Sequence, residues 1–327
     1  MEKFKMFKKI FMISLMLINF SIGQELDWQT YKNKYLKDGS YIIDPYNENR
    51  VTSEAQGYGM LLSVLYKDKE TFDKLWKWTK NTLQREDNLF AWHWNKEIKD
   101  INNATDGDIL IAYSLKKAYE IWRDNNYKQE YEKILNSLSR LVVIIKDNKY
   151  SDNYLLLPAT YGFSNEKYDI FIFPSYYINF ALKEFGKEFK LWNNTYSYFK
   201  NHLVGGKLTT NLKFNLIEKK VSLVNPANLD VYRVIAYTYI SGDDLSGLKK
   251  SFSEIDNFFK EKGYIPFNYN FGVDNQESRE APFCVYRFFY ILYSDQKYSE
   301  RYKVLKEVDK NNYFCDTFEL LLNFRLD

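Results

Sequence analysis

The sequence predicts an all-α fold, a ring of stacked helical hairpins with one small β-like insertion. Three observations carry that prediction. Apolar residues recur at three- and four-residue spacing through most of the chain from Ser53 onward. Five helix starts, marked by capping residues or proline, fall near residues 54, 106, 174, 226 and 282. The intervals between them, 52 to 68 residues, each hold about two helices of ordinary length plus loops. Six such hairpins fit the 327 residues if the terminal helices complete the ring. Alternate helices then form an inner ring pointing one way, with their N-termini gathered at one rim.

The elements follow in order. Helical periodicity marks Ser53–Lys67, Thr105–Trp122, Gln129–Ile145, Pro174–Phe185, Pro226–Ile240, Ser251–Lys262 and Pro282–Tyr293. Ser53-Glu54-Ala55-Gln56 reads as a capping box, with Ser53 accepting the third helical N–H and Gln56 reaching back. Thr105-Asp106-Gly107-Asp108 has the same form. Pro174, Pro226 and Pro282 each suit the first helical position, where a missing N–H costs nothing. The interval from Gly205 to Val224 alternates in short β-like runs and reads as a hairpin. No Pro/Ser-rich linker divides the chain, so residues 24–327 are expected to form a single domain.

Residues 1–23 read as a secretory leader. A basic start with Lys3, Lys5, Lys8 and Lys9 precedes an apolar run from Ile10 to Ile22, and small residues at Ser21 and Gly23 suit cleavage after Gly23. The expected destination is outside the cytoplasm, periplasmic or extracellular. The formal charge of +3 resides in this leader, and the remainder is neutral. The totals therefore suggest no nucleic-acid partner. Cys284 and Cys315 both sit in apolar, helical-looking stretches and are expected as two buried free thiols, a disulfide being the alternative. With His93 and His202 the only histidines, no metal site is expected. There is no GxSxG, Walker or HExxH motif, and no cofactor is expected. Carboxylates are the chemical groups left.

Two of the helix starts present them: Glu54, and Asp106 with Asp108. Asp230 lies in the opening turns of the helix after Asn225-Pro226. A hairpin ring brings such positions to one mouth, and glycoside hydrolysis needs an acid and a base there. Acidic residues at helix N-termini also serve simply as dipole-favoured caps.

Four segments resemble glycoside hydrolase family 8, in the family's order: RVTSEAQGYGMLLSVL (Arg50–Leu65), ATDGDILIAYSLKKAYEIW (Ala104–Trp122), FPSYYINFAL (Phe173–Leu182) and LDVYRVIAY (Leu229–Tyr237). Within the family the chain resembles the periplasmic endo-β-1,4-glucanases of bacterial cellulose-synthesis systems. The resemblance implies an (α/α)6 barrel with an open cleft, an inverting mechanism and a β-linked polysaccharide substrate. It also implies a monomer that associates with a polysaccharide export system. Glu54 is then the general acid and Asp230 the general base. Asp106 matches the residue that holds the distorted sugar, Tyr176 a tyrosine at the nucleophilic water, and Arg233 a neighbour of the base. Asp108, Trp92 and Trp94 in AWHWN, and Tyr161 complete the expected substrate contacts. Ala55 and Leu229 depart from the family, which usually carries Gly and often Tyr there. Xylan, mixed-linkage glucan or chitosan are the alternative substrates, and a non-catalytic polysaccharide-binding protein on the same barrel is the alternative class. The helix dipole lowers a carboxyl pKa at Glu54, whereas burial and the charge of Asp106 would raise it.

Overall fold

The structure, a computed structural model, describes residues 26–147, 152–273, 275 and 278–326. The expected leader, residues 1–23, lies outside the described residues. Thirteen α-helices are described: α1 (Trp28–Tyr35), α2 (Ser53–Leu65), α3 (Lys69–Leu83), α4 (Thr105–Trp122), α5 (Asn125–Leu138), α6 (Asn179–Gly186), α7 (Lys190–Tyr198), α8 (Leu229–Ile240), α9 (Ser246–Ser251), α10 (Ser253–Lys262), α11 (Phe283–Tyr293), α12 (Gln296–Val308) and α13 (Tyr313–Leu321).

Burial sorts them into two rings. Helix α4 buries every residue from Thr105 to Lys116, whereas α3 buries only the stripe Thr71, Phe72, Leu75, Trp76, Thr79 and Leu83. A helix buried all round belongs to an interior, and a one-sided stripe belongs to an outer layer. Contacts run α2 to α4, α6, α8, α11 and α13, and α13 returns to α2, which closes the inner ring. The outer ring is α1, α3, α5, α7, the pair α9 and α10, and α12. Tyr31 on α1 reaches Thr317 on α13 at 2.9 Å, and Tyr35 donates to Asp316 at 2.7 Å, so the two ends of the chain meet as the ring requires.

Close approach of two inner helices depends on glycine. A Cβ on Gly57 would stand 2.5 Å from Leu110 Cβ, and one on Gly107 would stand 2.3 Å from Ser53 Oγ and 2.7 Å from Glu54 N. With hydrogen in place of Cβ, the first turns of α2 and α4 touch.

Strands are more numerous than the single insertion expected. Beside the short pair β1 (Leu36–Lys37) and β2 (Tyr41–Ile42), a sheet joins β3 (Val51–Thr52), β4 (Ala91–Asn95) and β5 (Glu97–Asn103). A second pair, β6 (Val142–Ile145) and β7 (Asn153–Leu156), precedes a sheet of β8 (Asp169–Ile172), β9 (Asn211–Asn215) and β10 (Lys220–Val224). The anticipated hairpin is β9–β10, in register from Lys220↔Asn215 to Val224↔Asn211. Most of these strands lie where an outer helix returns to an inner one, so they build the rim at the inner N-termini. The expected helix Gln129–Ile145 stops at Leu138, because the β-branched run at Val142–Ile145 pairs with β7 instead.

Cys284 and Cys315 are joined in a disulfide, which corrects the expectation of two free thiols. Both stand in the first turns of neighbouring inner helices, with Cα atoms 5.1 Å apart, and that adjacency is tertiary information. Among the described residues no helix is long and apolar enough to cross a membrane.

Candidate active site

Glu54 occupies the first turn of α2, but the cap is not the residue expected. Thr52 closes the helix, its Oγ1 accepting from Ala55 N at 3.1 Å, and Ser53 is already helical. Gln56 does not reach back to a free N–H. It accepts from Ile42 N at 2.9 Å and donates to Ile42 O at 2.8 Å, fastening β2 to the helix. In α4 the threonine is likewise spent elsewhere, Thr105 Oγ1 donating to Leu157 O at 2.7 Å. Pro226 lies ahead of α8, which Asn228 caps by accepting from Asp230 N at 3.0 Å.

Arg233 lies one turn into α8 and joins the carboxylates of two other helices. One Nη donates to Glu54 Oε1, and Nη2 donates to Asp106 Oδ2 at 2.9 Å. Arg233 is 2% exposed, its guanidinium 5.9 Å from the ring centre of Tyr176 and 6.0 Å from that of Tyr237. Tyr237 shares a hydrogen bond with Tyr58 beneath it. Burial pushes the Asp106 carboxyl up, to about 7, and the charge of Asp230 adds to that; the Gly107 N–H at 2.8 Å pulls the other way. The Arg233 ion pair opposes the rise as well. The negative charge of Asp106, expected to act directly on Glu54, is thus shared with a cation bonded to both.

Asp230 faces an open cleft of about 580 Å³ lined by Glu54, Arg50, Leu229, Phe267, Tyr313 and Phe314, among others. The first residues of α2, α8, α11 and α13 all contribute to this wall, so inner N-termini do gather at one rim. The Asp230 carboxylate is reached by solvent from the cleft and crowded by protein on its other sides. That burial raises its pKa, and the Arg50 charge lowers it. Arg50 opens the first of the four family-like segments, but nothing in the sequence gives it a role of its own. It has no ion pair within 4 Å among the described residues.

The expected aromatic contacts separate. Tyr176 packs beside Arg233, and burial raises its hydroxyl well above the ordinary range. Trp94 stands edge-on to Trp78 at 5.4 Å and to Tyr41 at 5.7 Å, within the packing of β3–β5. Trp92 is half-buried beside His93, whose backbone pairs with Thr52, two residues before Glu54. Tyr161 is 52% exposed on the loop that follows Pro158, and Pro158 O accepts from Thr105 N at 2.8 Å. Asp108 does not reach the cleft. It is fully buried, accepting from Phe90 N at 2.9 Å and from Asn103 Nδ2 at 2.7 Å, and burial pushes its pKa up to about 8. Among the described residues no group of His, Cys, Asp and Glu is arranged to hold a metal ion.

The family model of glycosyl hydrolases family 8 matches residues 4–213. The chain belongs to that family. An endoglucanase from Cellulomonas uda is 37% identical over 165 residues, 49% of this chain and 45% of its own length. An endoglucanase from Escherichia coli K12 is 32% identical over 149 residues, 42% of this chain and 40% of its own length. The aligned part thus spans less than half of these curated relatives. Alignment of whole structures goes further. Endoglucanase Cel10 of Klebsiella pneumoniae, a family 8 glycosyl hydrolase, superposes with a TM-score of 0.75 at 26% identity, covering 90% of this chain and 96% of that one. The endo-β-1,4-glucanase CMCax of Acetobacter xylinum, at 24% identity and a TM-score of 0.76, shares the fold. The barrel is the (α/α)6 barrel of family 8. The family match ends before Asp230 and Arg233, so the roles of α8 rest on geometry.

Proposed function

We propose that the protein is an inverting glycoside hydrolase that cleaves internal β-1,4 linkages of a glucan such as cellulose. The observation that carries this reading is the convergence of Glu54 and Asp230 on one open cleft, with Asp106 tied to Glu54 through Arg233. In the proposed reaction Glu54 protonates the leaving glycosidic oxygen. Asp230 takes a proton from a water, which attacks the anomeric carbon from the opposite face. Asp106 binds the distorted sugar at the cleavage point, Tyr176 helps hold the nucleophilic water, and Arg233, a neighbour of the base in sequence, ties Glu54 to Asp106. Arg233 and the α2 dipole both favour an ionised Glu54. Desolvation by a bound chain works in the opposite direction, so protonation of Glu54 is coupled to substrate binding. The substrate is a β-linked polysaccharide outside the cytoplasm, and residues 24–327 act as one catalytic unit after removal of the leader. The endoglucanase names of the relatives support this substrate class.

The test is release of new reducing ends from β-1,4-glucan, mixed-linkage glucan, xylan and chitosan by the parent and by Glu54→Gln. Loss of a general acid costs about 10²–10⁴-fold in rate. The expected result is activity on β-1,4-glucan that falls by that factor in the variant. Undiminished turnover in Glu54→Gln would remove Glu54 from its role.

A further inference from the structure

The buried Asp108 is unused by the proposed chemistry, and its hydrogen bonds lead away from the cleft floor to two separate pieces of its rim. Oδ1 accepts from Phe90 N, the residue before β4, which carries Trp92. Oδ2 accepts from Asn103 Nδ2. Asn103 is 2% exposed, and its Oδ1 accepts in turn from Thr160 N and Thr160 Oγ1, both at 2.7 Å. Thr160 precedes Tyr161, whose carbonyl accepts from Asn102 Nδ2 at 3.0 Å. Arg85 reinforces the same node, donating to Ile101 O and Thr160 Oγ1, each at 3.2 Å. One carboxylate and one amide therefore set where β4 and the 158–163 loop stand relative to each other, and both segments flank the first turn of α4 that bears Asp106.

We propose that Asp108 and Asn103 are a positioning pair that fixes the spacing between the Trp92 strand and the Tyr161 loop, and through it the grip on a glycan chain at this flank, without touching the glycan. The inference rests on the reading of the cleft as a glycan site, and it reassigns Asp108 from a substrate contact to a support.

The donor and acceptor pattern makes the pair testable. In Asp108→Asn the new amide must turn an N–H toward either Phe90 N–H or the Asn103 amide, and flipping Asn103 only moves the clash to Thr160 N–H. A buried donor is then left unmade, which costs about tenfold or more in an equilibrium that depends on it. The double exchange D108N/N103D restores every bond. The amide introduced on α4 would accept from Phe90 N and donate to the carboxylate introduced on β5. That carboxylate would in turn accept from Thr160 and face Arg85.

Two measurements on the mature protein decide the matter. The first is amide hydrogen exchange over residues 88–95 and 158–163. Thr160 does not touch Asp108, so faster exchange in both segments of D108N, reversed in D108N/N103D, reports the coupling independently of activity. The second is the KM and kcat split on soluble β-1,4-glucan, together with the dissociation constant of a cello-oligosaccharide. The expected result is affinity weakened about tenfold in D108N with a smaller change in kcat, regained in the double variant. If D108N alone does not fold, recovery of parent-like affinity and exchange in the double variant still decides. Exchange confined to residues 88–95, or a folded double variant that fails to regain the parent's affinity, overturns the proposal. A parent that shows the exchange pattern yet releases no reducing ends would instead count against the hydrolase reading alone.

Discussion

At the residue scale, the charge balance around Asp230 sets how the enzyme should respond to pH. The proposed general base must be ionised to work, and burial raises the Asp230 pKa, which moves the acidic limb of the activity profile upward. Arg50 lowers that pKa from across the cleft. Arg50→Gln should therefore shift the acidic limb of kcat/KM to higher pH and leave the basic limb in place. A profile unchanged in its acidic limb would show that Arg50 does not act on the base. The carboxylates themselves were legible, because Glu54 and Asp106 open helices whose starts carry cap signals. Arg50, Asn103 and the Arg233 bridge were not, since each acquires its partner only when distant helices or strands meet. Thr52 was missed by one position: two consecutive hydroxyl residues precede Glu54, and only the backbone decides which of them caps.

At the element scale, the site depends on how closely α2 and α4 approach. Gly107→Ala would force a methyl against Ser53 Oγ and against the backbone at Glu54. Overpacking of this kind costs about 1–3 kcal/mol in stability. It should also lower kcat beyond the loss in folded fraction, because the displaced atoms belong to the turn that carries the proposed acid. Thermal unfolding together with initial rates on β-1,4-glucan checks both effects, and a variant with full kcat would mean that the spacing is not critical. Helix α4 was legible to the residue, Thr105–Trp122, because its apolar pattern and starting motif agree. The strands were less so. AWHWN reads as an aromatic cluster, but it is the central strand of a sheet, paired on one side with β5 and on the other with β3, where Val51 faces Trp94 from more than forty positions away, a partner that local propensity does not encode.

At the scale of the whole molecule, the ring is closed by α13 against α1 and α2, and the Cys284–Cys315 disulfide pins the consecutive inner helices α11 and α13. The bridge spans a sequence separation of 31, for which chain-entropy arguments give about 3–4 kcal/mol of stabilisation. Replacing both cysteines by serine should lower the denaturant midpoint accordingly while leaving the activity of the folded fraction intact. An unchanged midpoint would show that the bridge contributes nothing to the ring. A disulfide also accords with the proposed export, since such bonds persist in oxidising compartments. The hairpin ring was legible from the spacing of helix starts. The pairing of the cysteines was not, because 31 residues of sequence do not reveal that two helix starts are neighbours.

The central claim is hydrolysis with inversion by Glu54 and Asp230, and the anomer of the first product tests it most directly. Proton NMR during the first minutes of cello-oligosaccharide cleavage resolves α from β reducing ends before they equilibrate. The account predicts α-anomer first. β-Anomer first, the signature of a retained configuration, would contradict it.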